Sequence, residues 1–147
     1  MKVKVYSESK HPLPAYKTSG SCGMDVYADL EEAIVLEPLE RVKVPTGLYF
    51  EIPEGVEAQV RARSGLSLKQ GLTLINGIGT IDSDYRGELC VLMVNLSKEE
   101  VTIEDGERIA QIVFTNYLTA EWEEVDAFEA LSSTDRGEKG LGHTGLH

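Results

Sequence analysis

The chain has 147 residues, of which 41% are hydrophobic, and this suits one globular domain. Acidic residues outnumber basic ones by 25 to 14, and the net charge of −11 argues against a nucleic-acid-binding protein with a broad basic face. We expect no membrane partner, because no apolar segment is long enough to cross a bilayer and no secretory signal is visible. Two cysteines form neither a metal-binding pattern nor a disulfide framework, so we expect a cytoplasmic location.

Alternating or continuously apolar segments predict strands along most of the chain. The predicted strands occupy residues 2–6, 33–36, 41–44, 47–52, 56–63, 72–75, 88–96, 100–103 and 108–114. Turn residues separate them, among others Pro45-Thr46-Gly47 and Asn76-Gly77. Many short strands joined by turns are typical of a β-sandwich or a barrel.

A single helix is predicted at residues 64–71. Ser64 suits its N-cap, and Gly71 suits the position that follows the last helical residue. We expect a folded domain at residues 1–131, followed by a glycine-rich C-terminal tail at residues 132–147, where the regular apolar pattern stops.

The tripeptide Arg63-Ser64-Gly65 joins a predicted strand to this helix. Backbone N–H groups, a hydroxyl and a guanidinium can meet at such a junction and bind phosphate. The same residues also fit an ordinary capped turn, so the tripeptide alone does not decide between the two.

A second candidate site lies in residues 76–89, where Asn76-Gly77 predicts a hairpin. A hairpin of this kind can present backbone N–H and C=O groups to a ligand and hold one carboxylate at its rim as a base. Asp82 follows an apolar residue at the edge of this segment, and Asp84 is the competing carboxylate. The pattern of residues leaves the choice between them open.

Two further groups of polar residues interrupt apolar segments. Asp25 follows Gly23 in residues 22–28, and Arg108 and Gln111 interrupt the last predicted strand. Each group taken alone also fits a structural role, as a strand-entry turn or a satisfied polar pair.

Taken together, these segments resemble the five motifs of the trimeric dUTPase family, and they occur in the same order. The second and third are the most specific. The five segments are CGMDVYA at 22–28, ARSGLSLKQG at 62–71, GIGTIDSDYRGEL at 77–89, GERIAQIVF at 106–114 and RGEKGLGHTG at 136–145.

The resemblance implies an all-β, distorted jelly-roll barrel of the dUTPase-like, β-clip kind with one short helix. It also implies a homotrimer with shared active sites, in which the tail of one chain closes as a lid over the site of a neighbour. The implied activity is the Mg²⁺-dependent hydrolysis of dUTP to dUMP and pyrophosphate by attack of water on the α-phosphorus. This activity keeps uracil out of DNA and supplies dUMP for dTMP synthesis.

The resemblance assigns the general base to Asp82 rather than Asp84. It assigns recognition of uracil to Asn76 and the backbone of the following turn, and exclusion of a 2′-hydroxyl to Tyr85. The implied substrate-binding residues are Arg63, Ser64, Gly65, Asn76, Gly77, Thr80, Ile81, Tyr85, Gln111, Arg136, Leu141, Gly142 and His143. Asp25 and Gln111 are implied to support Mg²⁺ through its water ligands, and Arg136 to bind the γ-phosphate.

The tail departs from the family pattern. Leu141 replaces the phenylalanine that stacks on the base, and an aliphatic side chain cannot stack as an aromatic ring does. His143 replaces a serine and Lys139 replaces a glycine, which adds potential positive charge near a triphosphate.

Two other functions fit the same fold. A dCTP deaminase needs a glutamate that activates water at the cytosine ring, and Glu88 is the nearest candidate in the sequence. A regulatory, non-catalytic family member needs the fold alone. The motif around Asp82 favours the hydrolase over both.

Overall fold

The computed structural model describes residues 1–140, which contain ten strands, one α-helix and one 3₁₀ turn at Phe128–Ala130. The strands are β1 (Lys4–Ser7), β2 (Met24–Tyr27), β3 (Ile34–Leu36), β4 (Arg41–Glu51), β5 (Val56–Ala62), β6 (Leu72–Leu74), β7 (Ile78–Ile81), β8 (Glu88–Asn95), β9 (Val101–Ile103) and β10 (Arg108–Asn116), and the helix α1 is Ser64–Gln70. The predicted all-β class with one short helix is confirmed. No described helix has the length and hydrophobicity that a membrane span requires.

The strands form two four-stranded sheets and one two-stranded sheet. One sheet has the order β1-β4-β8-β6, the second has the order β2-β10-β5-β7, and β3 pairs with β9. All pairs are antiparallel, and within residues 1–140 their hydrogen bonds do not close the sheets into a barrel. The architecture is therefore an open, jelly-roll-like arrangement of sheets.

The core is built from the inward-facing side chains of both large sheets. Val44 and Val91 come from β4 and β8, and Val26 and Ile112 come from β2 and β10; all four are buried. Strand β5 shows the expected alternation, because its apolar side chains at alternate positions are buried and its polar ones are partly exposed. Removal of this apolar surface from water is the main force that holds the sheets together.

Residues 45–47 form a bulge inside one strand, and the prediction of a turn between two strands was wrong there. Strand β4 continues through them, and only its register with β8 shifts. Thr46 is buried and its hydroxyl donates a hydrogen bond to the Leu89 carbonyl at 2.6 Å. Gly47 has a φ of +65°. A bulge uses the same residue types as a turn, so composition did not distinguish the two.

The Asn76-Gly77 turn joins strands of different sheets, so the predicted hairpin was also wrong. Strand β6 before the turn pairs with β8, whereas β7 after it pairs with β5. Gly77 has a φ of +70°, as the turn prediction required. The turn residues indicated the change of direction but not the partner of each strand.

The N-cap of helix α1 lies one residue earlier than predicted. Arg63 occupies the N-cap with extended backbone and no side-chain capping hydrogen bond, and Ser64 is already helical. The assignment of Ser64 as the N-cap was therefore wrong. Gly71 ends the helix in the left-handed conformation with a φ of +72°, which confirms its predicted role.

After β10 the described chain has no further strand, and every residue from 117 to 140 is exposed in the single chain. This segment exposes several large apolar side chains, including Leu118 at 98% and Trp122 at 96%. The boundary after residue 131 stays a prediction.

Candidate functional site

The first part of the site is a cavity of about 450 Å³ between the two large sheets. The Asn76-Gly77 turn, strand β7 and the loop after it form one wall, because the chain crosses between sheets at this turn. Strands β4 and β8 supply most of the opposite wall. The lining residues are Lys43, Val60, Leu74, Asn76, Gly79, Thr80, Ile81, Asp82, Tyr85, Glu88, Cys90 and Leu92.

The cavity contains five of the residues predicted for base recognition, sugar exclusion and catalysis. Asn76, Thr80, Ile81, Asp82 and Tyr85 all line it. The predicted Gly77 lies in the adjoining turn, where its N–H donates to the Leu74 carbonyl at 3.3 Å. The structure thus brings these residues together on one wall.

Asp82 and Asp84 differ in their access to this cavity. Asp82 is at its rim and also lines the adjacent groove on the other side, whereas Asp84 lines that groove alone. Both residues are exposed. Position therefore distinguishes them, and only Asp82 faces a ligand held in the cavity.

Asp82 and Tyr85 are the two ends of one tight turn. The N–H of Tyr85 donates to the Asp82 carbonyl at 3.2 Å. Arg86 stabilises the turn from outside, because its guanidinium donates to the carbonyls of Ser83 and Tyr85 at 2.7 and 2.9 Å. The backbone positions of Asp82 and Tyr85 are consequently fixed relative to each other on the cavity wall.

The opposite wall carries the thiol of Cys90, the amino group of Lys43 and the carboxylate of Glu88. Burial raises the pKa of the Cys90 thiol, and the nearby charge of Glu88 raises it further. The protonated thiol is therefore a poor nucleophile at this position. Glu88 itself is occupied, because its Oε1 accepts hydrogen bonds from the N–H groups of Thr46 at 3.1 Å and Gly47 at 2.8 Å.

The second part of the site is a group of four side chains, namely Asp25, which is only 8% exposed, and the three that contact it. Its carboxylate lies 3.2 Å from Nε of Arg63 and 3.1 Å from Nη1 of Arg108. Nε2 of Gln111 donates to it at 3.2 Å. A nearly buried carboxylate is stable in such a place because two cations and an amide surround it.

Strand register explains how these residues meet. Strand β10 lies between β2 and β5, and Gln111 is directly opposite Asp25 on one side. Arg63 follows the end of β5, and its Nη1 donates to the Arg108 carbonyl at 2.7 Å. Arg108 interrupts an apolar segment of the sequence but was not among the predicted site residues. The feature that could have identified Arg108 is its charge in an otherwise largely apolar strand.

The start of α1 lies next to the Arg63 side of this group. Ser64 and Gly65 are exposed, and no side chain caps the helix. The first N–H groups of a helix have no acceptor within the helix, so they are available for a ligand or water. The group around Asp25 and the cavity are separate in a single chain, since Arg63, Ser64, Gly65, Asp25 and Gln111 do not line the cavity.

Arg136 makes only local contacts within the part of the chain that the structure covers. Its Nε donates to the Lys139 carbonyl at 3.0 Å inside the exposed C-terminal segment. Leu141, Gly142 and His143, which were predicted to cover the substrate, lie outside the described residues.

Potential metal ligands occur in two places. Over residues 1–140, the one cluster of three acidic or imidazole groups with close ligand atoms is His11, Asp29 and Asp105, and no residue of either part of the site belongs to it. The group around Asp25 offers a single carboxylate, which does not form a complete metal cage. Mg²⁺ in nucleotide-binding sites usually keeps several waters and binds the substrate phosphates with one or two carboxylates, so one carboxylate fits that mode.

A model of the family described as dUTPase matches residues 9–145. The deoxyuridine 5'-triphosphate nucleotidohydrolases of Finegoldia magna and Fusobacterium nucleatum are each 56% identical to this chain over 145 residues. Each match covers 99% of this chain, and 99% and 97% of the respective relative.

Solved structures show the same likeness. The dUTPase of Staphylococcus bacteriophage 80alpha with dUpNHpp has a TM-score of 0.86 and 29% identity over 99% of each chain. A dUTPase from phage phi11 of S. aureus, in which coordination of a structural Mg(II) ion was described, has a TM-score of 0.78 and 26% identity. That match covers 88% of this chain and 99% of the phage chain. The predicted jelly-roll-like fold is confirmed.

Proposed function

The chain belongs to the dUTPase family and hydrolyses dUTP to dUMP, and we propose that Asp82 is the general base of this reaction. The observation that carries the proposal is the position of Asp82 at the rim of the cavity between the sheets. A carboxylate there can take a proton from a water that attacks the α-phosphorus in line, with pyrophosphate as the leaving group.

Uracil occupies the inner part of the cavity in this proposal. Asn76 supplies an amide, and the backbone from Gly77 to Thr80, with Ile81, supplies N–H and C=O groups and an apolar contact. Strand β7 uses its other edge to pair with β5, as in Val60 opposite Gly79, which holds it in place. Backbone groups held this rigidly reject cytosine, because its donors and acceptors are exchanged relative to uracil.

The triphosphate binds at the group around Asp25 and the start of α1. Arg63 and Gln111 belong to this group, and Ser64 and Gly65 at the start of the helix add a hydroxyl and N–H groups. A chain with a net charge of −11 repels a polyanion, so local arginines must offset the charge of the substrate. Arg136 is the proposed contact for the γ-phosphate.

We propose Mg²⁺ as the cofactor, with Asp25 and Gln111 contacting its water ligands. Mg²⁺ supplies charge neutralisation of the phosphates when it is bound. The chain contributes hard oxygen donors, since Asp25 has one carboxylate and Gln111 one side-chain amide. Asp25 also orients Arg63 and Arg108 through its ion pairs, so it has a role in the site with or without the ion.

We further propose a homotrimer with shared active sites. The cavity and the group around Asp25 are separate in one chain, and assembly can bring the cavity of one protomer to the arginines of another. The exposed apolar side chains of the C-terminal segment, such as Leu118, Trp122 and Phe128, also require a surface to cover them. Light scattering should then detect a particle of three 16.2 kDa chains.

The deaminase alternative is less compatible with the structure. Glu88 is the carboxylate it requires, and that carboxylate is engaged by the N–H groups of Thr46 and Gly47. Both hydrogen bonds go to Oε1 and hold the carboxylate against the bulge of β4, which gives Glu88 a structural role. The match to the dUTPase family model also favours the hydrolase over the deaminase.

We propose a cytoplasmic location from the state of the two cysteines. Cys22 and Cys90 are both free thiols. Free thiols persist in reducing compartments. Cell fractionation with an antibody to the chain tests this placement.

The function is tested by pyrophosphate release with Mg²⁺ from dUTP, dCTP, dTTP and UTP in parallel. We expect release from dUTP alone. Asp82→Asn should lower kcat by about 100-fold or more while dUTP analogue binding is retained, because general base catalysis contributes about 10²–10⁴-fold. Asp84→Asn is the matched control and should keep full activity. Equal losses for the two variants would contradict the assignment of the base.

A further inference from the structure

The position of the Tyr85 ring depends on the absence of a side chain two residues later, at Gly87. A methyl group on Gly87 would lie 2.5 Å from Cζ and 2.9 Å from Cε2 of the Tyr85 ring, and it would also overlap the phenol oxygen. Carbon atoms in contact normally approach to about 3.5–4.0 Å. The ring therefore occupies the space above Gly87.

The ring is also held at its far end. The Tyr85 hydroxyl donates a hydrogen bond to the backbone carbonyl of Glu88 at 3.1 Å. Glu88 is itself held, because its carboxylate binds the bulge of β4. The tyrosine is thus folded back over Gly87 and tied to the beginning of β8.

The backbone conformation does not explain why residue 87 is a glycine. Several glycines of the chain have a positive φ, but Gly87 does not, so an alanine could adopt its backbone conformation. The obstacle to a larger residue at this position is the ring of Tyr85, which is the outer end of a side chain that can rotate away. A substitution at Gly87 should consequently displace the ring and leave the strand in place.

We propose that Gly87 is a positioning residue for substrate specificity. Because it has no side chain, Tyr85 can lie against the cavity, where its ring excludes a 2′-hydroxyl. This inference rests on the proposed function, in which Tyr85 contacts the deoxyribose. Displacement of the ring opens the sugar position, and it leaves Asp82 in its turn because that turn is closed by the Tyr85 N–H and by Arg86.

The experiment compares kcat/KM for dUTP and UTP in the wild type, Gly87→Ala, Tyr85→Ala and the double variant. In Gly87→Ala we expect kcat/KM for dUTP to fall by up to about 100-fold through a higher KM, and the preference for dUTP over UTP to fall with it. In the Tyr85→Ala background, Gly87→Ala should have no further effect, because the contact is already gone. Gly20→Ala is the control, since a methyl group there meets no atom within 4 Å.

The outcomes are distinct. Independent, multiplicative effects of the two substitutions, or an unchanged preference for dUTP in Gly87→Ala, would overturn the positioning role while the proposed function stands. A wild type that uses UTP as well as dUTP would overturn the sugar contact and this inference with it. Should Gly87→Ala fold poorly, recovery of its melting temperature by Tyr85→Ala supports the contact, and failure to recover overturns it.

Discussion

The carboxylate of Asp25 lies 3.2 Å from Nε of Arg63, so a residue of β2 holds the arginine at the N-cap of α1. This relationship joins a predicted metal-supporting residue to a predicted phosphate-binding residue. The same carboxylate also holds Arg108, which links three separate segments of the chain in one nearly buried contact. In the proposed site the arginines are thereby oriented before substrate arrives, and preorganised cations bind a polyanion at a lower cost than mobile ones.

The first prediction concerns this carboxylate. Asp25→Asn removes the negative charge between Arg63 and Arg108 and leaves the two guanidinium groups to repel each other. We expect kcat/KM for dUTP to fall by about tenfold or more. The melting temperature should fall only modestly, because the arginines are partly exposed. Steady-state kinetics and thermal unfolding measure both. Asp126→Asn, on the exposed C-terminal segment, is the control. An equal loss of kcat/KM in that variant would contradict the role of Asp25.

The second prediction concerns the bulge in β4. Glu88→Ala deprives the N–H groups of Thr46 and Gly47 of their acceptor, and these groups are partly buried. We expect the free energy of unfolding to fall by about 1–3 kcal/mol, because that is the usual cost of leaving a buried donor without its acceptor. Glu88→Gln keeps an acceptor and should lose less. Denaturant unfolding of both variants measures the difference, and equal losses would show that the acceptor kept by glutamine contributes nothing.

The third prediction concerns pH and the contact between His11 and Asp105. Hydrogen bonds from the His11 ring and from the Leu30 N–H lower the pKa of Asp105 to about 2. The lowered pKa means that the ionised carboxylate stabilises the folded state above its unfolded pKa of about 3.9. This contribution is lost as the pH falls from there toward 2.

Asp105→Asn should therefore be less stable than the wild type above about pH 4, and the difference should shrink as the solution becomes more acidic. Denaturant midpoints measured between these limits at constant ionic strength test the trend. Lys10, 3.4 Å from the same carboxylate, is an exposed partner, so Lys10→Gln should change the trend little. A stability difference that does not depend on pH would rule out the proposed ionisation effect.

Local patterns predicted most of the strands and the end of the helix. The alternation in residues 56–63 identified both β5 and its buried face, and Gly71 identified the end of α1. Strands β2 and β7 were not predicted as strands, because they are short and contain polar or glycine residues. Their strand conformation comes from pairing with β10 and β5, which lie far away in the sequence.

The candidate site was predicted by motif rather than by geometry. Five of the predicted residues, from Asn76 to Tyr85, line the cavity together, and they are close in the chain. Arg108 was not selected, because its contact with Asp25 depends on two strands that meet only in the folded sheet. Likewise, the role of Glu88 depends on the bulge at Thr46 and Gly47.

The sequence by itself determined the β class, the family and the residue types of the site, because periodicity, turn chemistry and motif order are local properties of a chain. The tertiary structure decided which strands pair, that the Asn76-Gly77 turn crosses between sheets, and that Asp82 rather than Asp84 faces the cavity. The physical reason is that strand pairing and burial depend on long-range contacts between both sheets. A short stretch of sequence constrains such contacts only weakly.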